Sequence, residues 1–181
     1  LTSAQNKVIA EISTDINSAI PMLRLVQGDV GSGKTVVAAM AAVQAIANGS
    51  QVALMAPTEI LAEQHRINFE KWFKPLGIRI AWLTGKIKGK AREAQLSAIA
   101  DGSAKMIIGT HALFQETVVF NNLGLSIIDE QHRFGVHQRL ALRQKGFDPT
   151  STLSEHGSAP HQLIMTATPI PRTLAMSAYA D

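Results

Sequence analysis

Gly28-Asp29-Val30-Gly31-Ser32-Gly33-Lys34-Thr35 is the stretch from which the rest of the chain can be read. It has the form G-x-x-x-x-G-K-T. In such a loop successive backbone N–H groups converge on a phosphate, and glycines let the main chain wrap that closely. Lys34 is placed to neutralise the β- and γ-phosphates of a nucleotide, and the Thr35 hydroxyl to ligate Mg²⁺. The bland alternative is a glycine turn between a strand and a helix. With Gly at ~7% of average usage, the full pattern arises by chance on the order of once per hundred chains of this length. Its context also fits. Residues 22–27 read as an apolar strand, and residues 34–48 as an alanine- and valine-rich helix that Gly49 stops in the left-handed conformation.

Outward from that loop, short β-rich runs alternate with helical stretches. Thr2 or Ser3 caps a helix reaching to about Ser18. Strands are expected at 51–56, 79–83, 105–109, 123–129 and 162–168, and helices at 59–76, 90–101, 136–145 and 172–180. Residues 147–160 are rich in Pro, Ser, Thr and Gly and read as an exposed, mobile loop. The alternation predicts an α/β domain with a mostly parallel sheet.

Length and composition bound the rest. The 181 residues make one domain, 46% hydrophobic and 17% charged, which excludes intrinsic disorder. No apolar run approaches the ~20 residues of a membrane span. No signal-peptide layout opens the chain. Zero cysteines exclude disulfides, thiol catalysis and thiolate metal sites, and suit a cytoplasmic protein. Residues 61–100 carry 8 basic and 3 acidic groups, so the positive excess sits mid-chain and hints at a polyanion-facing patch. Aromatic residues are only 5%, too sparse for a base-stacking groove. The chain starts at Leu1 and stops at Asp181 inside a helical stretch, which predicts a piece of a longer protein.

A nucleotide site needs more than a cradle. Leu125-Ser126-Ile127-Ile128-Asp129-Glu130 reads as a buried strand ending in two carboxylates. Asp129 can hold Mg²⁺ through water, and Glu130 can orient and deprotonate the attacking water. The alternative is an N-cap pair for the next helix. No N-K-x-D or D-x-x-G pattern is present, so a GTPase is not supported. The Gln5 amide offers a donor and an acceptor that match the edge of adenine, although a lone glutamine on a first helix is more often solvated. No H-E-x-x-H or G-x-S-x-G appears, which leaves metallo- and serine hydrolases unsupported.

Several further segments resemble one family. Asp129-Glu130-Gln131-His132 is similar to the DExH box of superfamily 2 helicases, Thr166-Ala167-Thr168 to their motif III, and Ala56-Pro57-Thr58-Glu59 to their motif Ia. Thr84-Gly85 and Gly109-Thr110-His111 resemble the small motifs between those, and residues 1–5 the adenine-reading Q motif. Residues 129–139 and 166–173, together with the glycine loop, narrow the resemblance to bacterial translocases that remodel replication forks. Transcription-repair coupling factors are close relatives, whose box usually has Glu where this chain has Gln131.

The resemblance implies a RecA-like P-loop domain with helices on both sheet faces, and a 162–168 strand between the loop strand and the Asp129 strand. It implies ATP and Mg²⁺ as cofactors, with Gly28, Asp29, Val30, Gly31, Ser32, Gly33, Lys34 and Thr35 on the phosphates. Asp129 and Glu130 handle metal and water, and His132, Thr166 and Thr168 couple the nucleotide to its surroundings. Pro57, Thr58, Thr84, Gly85, Lys86, Lys88, Thr110 and His111 fall after strands, at the carboxyl edge where open α/β sheets bind ligands, and are candidates for DNA-backbone contacts. The implied partners are branched, fork-like DNA and a wedge domain and second motor lobe of the same polypeptide, with no membrane. Two rivals remain: a P-loop phosphotransferase for a small molecule, and a nucleotide-dependent binding module without turnover.

Overall fold

The first helix, α1 (Ser3–Ile16), starts where Thr2 and Gln5 satisfy each other's main chain. The Gln5 N–H donates to Thr2 Oγ1 at 3.1 Å, and the Thr2 N–H donates to Gln5 Oε1 at 2.9 Å. That is a capping box, which pairs two otherwise orphaned donors. In this computed structural model, residues 2–28, 33–130 and 160–167 are described. The helices expected at 136–145 and 172–180 and the loop at 147–159 lie outside those residues.

Strand β1 (Leu23–Gln27) leads to α2 (Lys34–Ala47), whose buried side is almost all alanine (Ala38, Ala39, Ala41, Ala42, Ala45) and so lies close on the sheet. Gly49, at φ 89°, ends the α2 turn in the left-handed region that glycine tolerates. Strand β2 (Gln51–Met55) is buried throughout and precedes α3 (Glu59–Phe73). The helix expected to reach residue 76 stops earlier. Pro75 has no N–H to continue the α pattern, so Lys74–Leu76 tighten into a 3₁₀ turn closed by Gly77 at φ 72°. Strand β3 (Ile80–Leu83), α4 (Gly89–Ala100), β4 (Met106–Gly109), a 3₁₀ turn (His111–Phe114), β5 (Leu123–Asp129) and β6 (His161–Thr166) complete the described elements.

All five strand pairings are parallel, in the order β1-β6-β5-β2-β4-β3. The expected placement of β6 between β1 and β5 therefore holds. Alternate residues feed two cores. Val52, Leu54, Leu125, Ile127, Met106 and Ile108 pack under α1, α2 and α3. Met55, Ile128, Ile107 and Leu83 pack on the other face with α4 and the 3₁₀ turn. This two-residue alternation pins the register, because a slip of one residue would exchange the faces. At the end of β4 the backbones come very close. A Cβ on Gly109 would lie 2.1 Å from the Leu83 carbonyl oxygen.

His161 ties the beginnings of β1 and β6 together, with its Nδ1 accepting from the Met22 N–H at 2.8 Å. Burial pushes its imidazole below the ordinary histidine value, against the opposing pull of the Ile16 backbone and Asp15. Unfolded histidine titrates near ~6.5. Below that pH the unfolded chain binds the proton first, so this contribution is complete above ~6.5 and is lost as pH falls toward the depressed native value. The His161→Gln variant should lose on the order of 1 kcal/mol at pH 7.5. Its deficit relative to the parent should shrink on acidification, read from urea midpoints between pH 7.5 and 5. A deficit constant across that range would contradict the Nδ1 acceptor role.

Candidate functional site

A wholly parallel sheet puts every strand's carboxyl end on one edge. Across that edge run Gly28 after β1, Thr166 on β6, Asp129 at the end of β5 with Glu130 just after it, Pro57 and Thr58 after β2, Thr110 and His111 after β4, and Thr84 and Gly85 after β3. The strand order thus separates the phosphate-type residues from the remaining motifs, with the acidic pair at the boundary.

On the first half, hydrogen bonds run continuously from Lys34 to Glu130. The Lys34 ammonium donates to the Gly28 carbonyl. The Gly28 N–H donates to the Thr166 carbonyl at 3.2 Å. Thr166 Oγ1 donates to Glu130 Oε2 at 3.3 Å, and the Ala167 N–H to Glu130 Oε1 at 3.1 Å. The Glu130 backbone is pinned as well, its N–H donating to Met165 O at 2.8 Å. Glu130 sits at φ 54°, a left-handed conformation that costs a non-glycine residue roughly 1–2 kcal/mol. Backbone strain held by surrounding contacts is typical of residues placed for chemistry.

Lys34 and Thr35 open α2 behind Gly33, at φ 86°. Among the described residues no side chain caps that helix, and no acidic residue sits in its first turn. Its leading N–H groups therefore suit an anion. Asp29, Val30, Gly31 and Ser32 lie outside the described residues. Gln5 reaches this loop, since a Cβ on Gly33 would lie 1.9 Å from Gln5 Nε2. Its carbonyl oxygen serves the α1 capping box at the same time, so the side chain belongs to the loop wall and is not merely solvated.

Asp129 is buried at the end of β5, and its Oδ2 lies 2.7 Å from His65 Nε2 on α3. Nothing in the sequence pattern singled out His65. Thr35 and Asp129 present hydroxyl and carboxylate oxygens, the donor type that a hard cation such as Mg²⁺ prefers. Among the described residues no group of three or more His, Cys, Asp or Glu could hold a metal.

The second half of the edge differs from the sequence expectation in detail. Thr84 and Thr110 are 2% and 1% exposed. The Thr84 hydroxyl accepts from the Lys86 N–H at 3.3 Å, and the Thr110 hydroxyl is buried without a hydrogen-bond partner among the described residues. Thr58 is exposed but caps α3, accepting from the Leu61 N–H at 3.3 Å, and Pro57 is half-buried. Gly85, Lys86, Lys88 and His111 are the motif residues that reach solvent. Lys86 is not an unmatched charge. It pairs with Glu59 at 2.9 Å, and that hydrogen-bonded carboxylate raises its pKa. Arg92 donates to Gln115 and Thr117 at the surface. His132 and Thr168 lie outside the described residues.

The family model of DEAD/DEAH box helicases matches residues 2–177. The ATP-dependent DNA helicase RecG of Escherichia coli strain K12 is 68% identical over 180 residues, 99% of this chain and 25% of that protein. The protein of the same name in Haemophilus influenzae is 64% identical, with the same shares covered. The structure of RecG bound to a three-way DNA junction superposes with a TM-score of 0.81 at 43% identity, over 99% of this chain and 22% of that one. The chain spans about a quarter of the length of the curated relatives it matches.

Proposed function

The chain belongs to the DEAD/DEAH box helicase family, and on that premise we propose that it is the ATP-binding lobe of a RecG-type DNA helicase acting on branched DNA. The observation that carries this reading is the hydrogen-bonded path from Lys34 through Gly28 and Thr166 to Glu130. A phosphate-loop lysine and an acidic pair are joined there by a third strand, so a change at the phosphates reaches Glu130 through contacts already made.

In this reading residues 28–33 and the start of α2 hold the phosphates, Lys34 offsets their charge, and Gln5 faces the adenine. Mg²⁺, when bound, screens the phosphate oxygens, and Thr35 and Asp129 supply the protein's share of its oxygen shell. Glu130 orients water and takes its proton. Thr166, with Thr168 and His132 as the family resemblance implies, relays nucleotide state toward a second motor lobe of the same polypeptide. That lobe contributes an arginine to the phosphates, and a wedge domain supplies fork recognition. DNA lies along the β2-β4-β3 edge, held by its sugar–phosphate backbone through Pro57, Thr58, Thr84, Gly85, Lys86, Lys88, Thr110 and His111. For the buried Thr84 and Thr110 this requires the local backbone to carry the contact. No described helix is long and apolar enough to cross a membrane; a cytoplasmic location follows from the proposed work on DNA.

ATP hydrolysis by the full-length protein should rise on adding forked DNA. A small-molecule phosphotransferase would show no such rise. In the Lys86→Glu, Lys88→Glu, Lys90→Glu triple variant, the slope of log affinity for DNA against log salt should flatten by up to about 2–3, because fewer counterions are released. ATP hydrolysis without DNA should be spared. An unchanged slope makes this patch solvated surface.

A further inference from the structure

His65 occupies a position where a hydrophobe would ordinarily stand. The buried residues of α3 are Ala62, His65, Phe69 and Phe73, spaced three or four apart, so the imidazole sits in the helix's core-facing stripe. It is 8% exposed. A polar ring there is unfavourable unless it is hydrogen-bonded, and the partner it has is Asp129. Asp129 is itself only 9% exposed and lies 64 residues away in sequence. Packing explains neither member. A buried pair of this kind is weak evidence for stability, since well-packed apolar residues of similar volume often do as well.

We propose that His65 is a positioning residue for the magnesium-binding carboxylate. A carboxylate only accepts hydrogen bonds, so His65 Nε2–H donates to Asp129 Oδ2 and fixes the rotation of that group. The imidazole thus engages one carboxylate oxygen and leaves Oδ1 as the one it does not hold. The donor comes from α3, and α3 is capped by Thr58, on the edge assigned above to DNA. Thr58 and His65 are seven residues apart on one rigid helix, ~10 Å along its axis. A shift of the helix start therefore displaces the imidazole together with it. The surface Lys86–Glu59 pair links the same first turn to the loop after β3. The inference rests on the nucleotide reading given above, and it adds a route by which the β2 edge bears on metal binding.

The test is a Mg²⁺ titration of fluorescent mant-ADP binding to the full-length protein, with the EDTA affinity measured alongside. His65→Leu removes the donor and keeps most of the volume. It should raise the Mg²⁺ midpoint by about tenfold or more, the usual cost of losing a partner that orients a metal ligand, while affinity in EDTA stays within about twofold. His65→Gln places an amide N–H near the Nε2 position and should return the midpoint to within about threefold of the parent. If His65→Leu does not fold, His65→Asn takes its place, since its shorter amide cannot span to Asp129 and the same shift is expected. A midpoint equal to the parent's in the donor-less variant overturns the proposal, as does a His65→Gln variant as impaired as His65→Leu. A parent that binds no mant-ADP overturns the nucleotide reading along with it, whereas Mg²⁺-dependent binding indifferent to His65 overturns this inference alone.

Discussion

Glu130→Gln is expected to retain MgATP and to lose turnover by ~10²–10⁴, the contribution of a positioned general base. The local geometry makes the variant informative. Both Glu130 carboxylate oxygens are engaged at the β6 end, one with Thr166 Oγ1 and one with the Ala167 N–H. Glutamine keeps the size of the side chain and one acceptor oxygen, but replaces the other oxygen with a donor. The Ala167 N–H can still be met by the amide oxygen, and the Thr166 hydroxyl can turn to accept from the amide nitrogen. The clamp survives while proton abstraction does not. Single-turnover hydrolysis and mant-ATP affinity, measured on the same preparation with forked DNA, separate the two roles. Equal losses in binding and hydrolysis would make Glu130 a structural clamp between β5 and β6 and remove it from the chemistry.

The parts of the fold that sequence made legible are those governed by short-range pattern. Residues 123–129 form the buried strand leading into the acidic pair that the apolar run implied, and Gly49 stops α2 where a left-handed residue was needed. The Thr2-x-x-Gln5 spacing also carried a readable signal, a capping box, which a reading of Gln5 as base reader or solvated residue passed over. What stayed hidden depends on partners distant in sequence. His65 is an unremarkable letter in an amphipathic helix until α3 is laid against β5. Gln51 is fully buried because its amide joins Ile99 and Ala104 to Asn121 and Asn122, four backbone groups that no local pattern brings together. That Lys86 pairs with Glu59, 27 positions earlier, likewise emerges only in three dimensions. Motif residues fared unevenly for a related reason. Spacing places Thr84 and Thr110 at strand ends, but their burial is decided by the neighbouring strand and turn, and both residues turn out to be almost fully buried.

Lys34→Ala is expected to produce the deepest binding defect. Lys34 is half-buried at the start of α2, and its ammonium rests on the Gly28 carbonyl. It is a full positive charge beside a helix start whose N–H groups carry only partial charge. Removing one member of a desolvated charge pair typically costs about 2–5 kcal/mol, so MgATP affinity should fall on the order of 100-fold or more. A rival account treats Lys34 as a tie that merely closes the loop onto Gly28. The two accounts part in a thermal melt. Loss of one hydrogen bond lowers stability by about 1 kcal/mol whether or not nucleotide is present. Loss of the phosphate contact instead removes the stabilisation that nucleotide confers, which reaches about 2.7 kcal/mol when ligand stands at 100 times its Kd. The Lys34→Ala protein should therefore melt close to the parent in buffer and fail to shift when MgADP is added, while the parent shifts by several degrees. An equal MgADP shift in both would leave Lys34 a loop tie and move the phosphate site elsewhere on the edge.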